Sequence, residues 1–169
     1  RGGAGAGDGG FVEVSGKQLL DFTGSVDLRA DAGKTGTLLL DPNNLTIQAT
    51  GSDTGVTGTD ASATGSILTV STIRNLLETS NVVVTTGTSG DAEDGNITVA
   101  SDISWVTSND LTLRAANNVV INANILALSG GLTLEAGRTA DGASATAAGT
   151  VSLNAANNIR LLSKGLTVS

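Results

Sequence analysis

The stretch LTLRAANNVVINA, residues 111–123, returns as VSLNAANNIRLLS, residues 151–163, and between the copies GGLTLEAG carries Leu132 and Leu134 in the same phase. Related strands therefore start at 111, 132 and 151. A repeat of about 20 residues, with apolar side chains at alternate positions, describes a unit that cannot bury its own face and must stack on its neighbours. The reading is a coil of short strands.

Alternation assigns the faces, because successive side chains of a strand point to opposite sides. Leu111, Leu113 and Ala115 point one way and Thr112 and Arg114 the other. In the same manner Val119, Ile121 and Ala123 are expected inside, with Leu132, Leu134, Val151, Leu153, Ile159 and Leu161. Leu113, Ile121, Leu134 and Leu153 are expected in one continuous buried stack. Looser versions of the pattern run upstream: FVEV at 11–14, SVDLR at 25–29, TLLL at 37–40, LTIQA at 45–49, SILTV at 66–70, NVVV at 81–84 and NITVA at 96–100.

Three stretches break the pattern, 50–65, 85–95 and 137–149. They are rich in Gly, Ser, Thr, Ala and Asp and read as polar loop insertions. STIRNLLET at 71–79 alone has helical spacing, with Ile73, Leu76 and Leu77 behind a cap at Ser71 or Thr72.

Composition agrees. The 169 residues include 23 Gly, one Pro and no Cys, Met, Tyr or His, and the aromatic residues are Phe11, Phe22 and Trp105. Leu, Ile, Val and Ala must fill the core, and the turn-forming residues suit many short strands. A net charge of −7 disfavours nucleic acid as a partner. Without Cys there is no disulfide scaffold or thiol chemistry, and without His the commonest acid/base group and metal ligand is missing. No stretch approaches the ~18 apolar residues of a membrane helix. The chain opens on RGGAGAGDGG, which reads as the start of an excised segment. A β-sandwich also has short strands at close spacing but predicts no self-similarity. The expectation is thus an all-β parallel β-solenoid spanning residues 1–169 as a single segment, with about 20 residues per turn and about eight turns.

Residues GGFVEVSGK at 9–17, LLDFTGSVDLRA at 19–30 and GKTGTLLLDPNNLTI at 33–47 resemble the filamentous-haemagglutinin-like exoprotein passengers of bacterial two-partner secretion systems. DGNITVASDISWVTSNDLTLRAANNVVINANI at 94–125 resembles the same family's repeats. The resemblance implies a right-handed parallel β-helix, export through an outer-membrane transporter, and an extracellular or cell-surface location on a Gram-negative-type bacterium. It also implies a role in adhesion, aggregation or biofilm, and it transfers no catalytic residue.

Candidate sites are few. Asn117 and Asn118, and Asn157 and Asn158, occupy equivalent places in the repeat, where side-chain amides are expected to stack along the axis. Asp91, Glu93 and Asp94 form the densest acidic cluster, as a calcium loop requires, but without EF-hand spacing they read as a solvated loop and no cofactor is expected. The glycine-rich opening lacks the Lys-Ser or Lys-Thr of a phosphate loop. An enzyme acting on polysaccharides would need a row of carboxylates with aromatic platforms. Asp21, Asp27, Asp31 and Asp41 have only Phe22 nearby, and Trp105 reads as a core or turn plug, so no catalysis is expected. The leading function is a stiff adhesive shaft whose host or bacterial surface ligand is undefined. The alternative is a filament subunit stacking end to end on copies of itself, since the strand edges at Phe11 and Leu166 carry no evident guard.

Overall fold

The computed structural model describes residues 1–16, 20, 22, 24–50, 65–87, 94–139, 141–144, 148–154 and 156–169. Their regular elements are β1 (Phe11–Ser15), β2 (Thr37–Asp41), β3 (Leu45–Gln48), β4 (Ser66–Thr69), α1 (Val70–Leu77), β5 (Asn81–Thr85), β6 (Ile97–Val99), β7 (Ile103–Trp105), β8 (Leu111–Ala115), β9 (Val119–Ile121), β10 (Ile125–Ala127), β11 (Leu132–Ala136), β12 (Val151–Leu153), β13 (Ile159–Leu161) and β14 (Leu166–Val168).

They form three sheets in which every neighbouring pair is parallel. The first runs β1-β2-β5-β8-β11-β14, the second β4-β3-β6-β9-β12 and the third β7-β10-β13. From β5 onward the chain visits first, second and third sheet in turn, then repeats. Each strand is short because it only crosses one face before the corner. Its inward side chains are the alternate apolar ones: Leu38, Leu40, Val82, Val84, Leu111, Leu113, Leu132 and Leu134 line the first sheet, and Ile47, Ile97, Val99, Val119 and Ile121 the second. Ile103, Trp105, Ile125 and Ala127 complete the interior from the third. All belong to one continuous core.

The register revises the repeat. Leu111 pairs with Leu132, as the spacing predicts, but Val151 pairs with Val119 in the second sheet rather than with Leu132. The two echoing copies thus lie on different faces: residues 111–115 are in the first sheet, whereas 151–153 are in the second. Leu113 stacks on Leu134, and Ile121 on Leu153, so the single predicted stack is two. Leu153 is 46% exposed rather than buried, and Val151 is half-buried, because β12 is the outermost strand of its sheet. The constant period also gives way. Val82 pairs with Leu111 and Leu132 with Leu166, longer steps than the one from 111 to 132. Insertions lengthen the chain without adding levels, and the first sheet holds six strands rather than the expected eight turns.

Other differences are local. Residues 25–29 form no strand, and Thr85, expected in a loop, ends β5 fully buried. The segments 51–64 and 88–93, which carry most of two expected insertions, lie outside the described residues. The helix starts earlier than predicted: Thr69, not Ser71 or Thr72, is the N-cap, its Oγ1 accepting from Thr72 N at 3.2 Å. Ile73, Leu76 and Leu77 point inward, and α1 packs against β4, β5 and β7. At its far end the Leu77 carbonyl accepts from Thr107 Oγ1 at 2.6 Å and Asn109 Nδ2 at 2.8 Å, which satisfies an acceptor that helix geometry leaves open.

Candidate functional site

The residue that immediately precedes a strand is repeatedly Asn or Asp, and its side chain bonds to the next level of the stack. Before the second sheet, Asn96 N donates to Asn44 Oδ1 at 2.6 Å, Asn118 N to Asn96 Oδ1 at 3.1 Å, and Thr150 N to Asn118 Oδ1 at 2.9 Å. Thr150 Oγ1 adds a second bond to Asn118 Oδ1 at 2.9 Å. Before the third sheet, Asn124 N donates to Asp102 Oδ1 at 2.7 Å and Asn158 N to Asn124 Oδ1 at 3.0 Å. At the entry to the first sheet, Asp110 N donates to Asn81 Oδ1 at 3.0 Å and Gly131 N to Asp110 Oδ1 at 2.8 Å. Three corners therefore carry three ladders, all with the same polarity: an earlier side-chain oxygen accepts from a later backbone N–H.

The physical reason is economical. A corner breaks the strand pattern and leaves a backbone N–H without a ladder partner, and a buried or half-buried donor of that kind is costly. Asn and Asp have a side chain just long enough to reach the neighbouring level. Asp110 is held further by Lys164, whose Nζ lies 2.6 Å from Asp110 Oδ1 and 2.5 Å from the Ser108 carbonyl. Hydrogen bonds from the Asn124 backbone and side chain lower the Asp102 carboxyl from its ordinary value.

The paired asparagines are thus placed differently from expectation. Asn118 and Asn158 join ladders at different corners and do not meet, while Asn117 and Asn157 precede them and take no part. The amides bond to backbone N–H groups rather than stacking amide on amide. The legible signal was the polar residue directly before each apolar run, as in Asn44-Leu45, Asn96-Ile97, Asp102-Ile103, Asp110-Leu111 and Asn124-Ile125.

Trp105 plugs the turn between third and first sheets, 4% exposed, with Nε1 donating to the Asn109 carbonyl at 2.9 Å. Gly130 packs against this indole so closely that any Cβ would collide with Trp105 Nε1 and the Asn109 carbonyl.

Of the candidate catalytic carboxylates, the described ones, Asp27, Asp31 and Asp41, are engaged in structural contacts. Arg29 Nε and Nη2 donate to Asp27 Oδ1 and Oδ2 at 2.9 and 2.7 Å, and Arg1 spans Asp27 and Asp31 at 3.3 and 3.5 Å. The Arg29 hydrogen bond holds the Asp27 carboxyl well below the usual carboxylate range, the opposite of a general acid's requirement. Asp41 Oδ1 accepts from Thr85 Oγ1 at 2.8 Å. Asp21, Asp91 and Glu93 lie outside the described residues, and Asp94 is exposed. Among the described residues, no three acidic side chains converge as metal ligands would.

Comparison with protein-family models, curated proteins and solved structures returned no match for this chain.

Proposed function

We propose that the chain is a non-enzymatic shaft segment of a secreted, filamentous-haemagglutinin-like bacterial surface protein, its three sheets being the faces of one right-handed parallel β-helix, or β-solenoid. The observation that carries this reading is the cyclic order of the sheets, with parallel pairing throughout and side-chain ladders at the corners. Such a stack is stiff along its axis, because backbone and side-chain hydrogen bonds both run from level to level. A stiff element of this kind suits display and attachment. Handedness, export through an outer-membrane transporter, and a place at the cell surface or outside the cell rest on the sequence resemblance.

A second reading, a filament subunit that stacks end to end, is favoured by the apolar side chains Leu153, Leu166 and Val168, all exposed on β12 and β14.

Two experiments test the leading reading. Electron microscopy of purified protein is expected to show short rods of uniform width, and round particles would overturn the shaft. Beads coated with the chain are expected to capture host or bacterial cells above bare beads. Equal capture would remove the adhesive role while leaving the shaft standing.

A further inference from the structure

Two of the corner asparagines carry a signal that their counterparts lack. Asn44-Leu45-Thr46 and Asn96-Ile97-Thr98 are Asn-x-Thr triplets without proline, the acceptor pattern for an N-linked sugar. Asn81, Asn118, Asn124 and Asn158 have Val83, Val120, Leu126 and Arg160 at the Thr position. The fold sets the two triplets side by side, since Leu45 pairs with Ile97 and Thr46 with Thr98 in the second sheet. Strand alternation buries Leu45 and Ile97 in the core and leaves Asn44, Thr46, Asn96 and Thr98 half-buried on the outer side.

The ladder engages one end of each amide and leaves the other. Asn44 Oδ1 accepts from Asn96 N and Asn96 Oδ1 from Asn118 N, whereas neither Nδ2 has a hydrogen-bond partner among the described residues. The position before β4 is Gly65, whose Cβ would lie 3.5 Å from Asn44 Cβ, so that level sets no side chain of its own beside Asn44. A sugar carried on Nδ2 leaves the amide oxygen in place, and the ladder survives the modification.

We infer that Asn44 and Asn96 are acceptors for N-linked sugars, set as a pair on the outer side of the second sheet. The co-substrate is a sugar activated as a glycosyl diphosphate. A bond forms between Nδ2 and the anomeric carbon, the anomeric C–O bond to phosphate breaks, and the diphosphate leaves with the electron pair. One Nδ2 proton passes to a base of the transferase. Resonance delocalises the amide lone pair, so the transferase needs a second handle on the acceptor, and the Thr hydroxyl two residues along, on the same face, supplies it. This inference rests on the triplets and their register, not on the adhesion reading.

Peptide mass spectrometry of the chain isolated from the cells that naturally make it tests the assignment, with the chain from a host lacking asparagine glycosyltransferases as the blank. Sugar is expected on Asn44 and Asn96, with Asn81, Asn118, Asn124 and Asn158 bare. A single-sugar increment identifies a nucleotide-bound donor, and a preassembled oligosaccharide a lipid-bound one. Bare Asn44 and Asn96, or sugar confined to other residues, would overturn the inference. Thr46→Val with Thr98→Val keeps both amides and is expected to abolish the increments, and sugar that persists there would show that the triplets are not what is recognised. Asn44→Asp with Asn96→Asp keeps the ladder oxygens and removes both Nδ2 atoms. It is expected to lose the sugar while its β circular dichroism is unchanged, which separates loss of the acceptor from loss of the fold.

Discussion

Asn118 takes two hydrogen bonds from Thr150, whereas Asn117 beside it takes no part in the ladder. Asn118→Ala leaves the exposed Thr150 N–H to water and is expected to lower stability by about 0.5–1.5 kcal/mol, while Asn117→Ala stays within about 0.5 kcal/mol. Denaturant unfolding of both variants measures the contrast, and equal losses would place the ladder's contribution elsewhere. Asp102 adds a pH dependence. Its carboxyl is lowered in the folded chain by bonds from Asn124, so its contribution is complete above the ordinary carboxylate value of about 4. That contribution is lost as pH falls through the lower folded value. Asp102→Asn keeps the acceptor oxygen and removes the titration, and is expected to flatten the acid limb of the stability profile. An unchanged acid limb would assign that loss to other carboxylates, such as Asp27 and Asp141, which are also lowered.

Among the elements, β8 and β12 carry the same alternation but occupy different places. Leu113 in β8 is fully buried between levels, while Leu153 on the outermost β12 is 46% exposed. Leu113→Ala is expected to cost about 2–5 kcal/mol by leaving a cavity, and Leu153→Ala under about 1 kcal/mol. Thermal melts of the two proteins read the difference directly. The short helix depends on its ends more than on its propensity: Thr69 covers the first turn, and Thr107 and Asn109 cover the Leu77 carbonyl. Thr69→Ala is expected to cost about 1 kcal/mol. Hydrogen exchange should show faster exchange of the amide of Thr72, its direct partner.

In the whole molecule, stability is expected to come from level-to-level packing rather than from a bound ion. Dialysis against EDTA should leave the melting temperature unchanged. A fall reversed by calcium would return Asp91, Glu93 and Asp94 to consideration as ligands. The acidic charge of the chain, −7, should meanwhile keep the sides of separate molecules apart, so lateral clustering is expected to increase with salt.

Alternation along LTLRA and VVI was enough to assign inward and outward side chains, because a strand has a period of two whatever it pairs with. The helix was legible for a similar reason, in the spacing of Ile73, Leu76 and Leu77. Sheet membership was not legible. An apolar-alternating triplet such as VSL at 151–153 can equally enter any of three sheets, and its place depends on the number of corners the preceding chain has turned. The corner ladders were written in the sequence as an Asn or Asp directly before an apolar run, yet their partners stand one level away and become evident only in the parallel register. The burial of Leu20, Phe22 and Leu28 has no periodic signature at all. Those side chains are inside because the fold leaves one end of its core open and this segment is the part of the chain that reaches it.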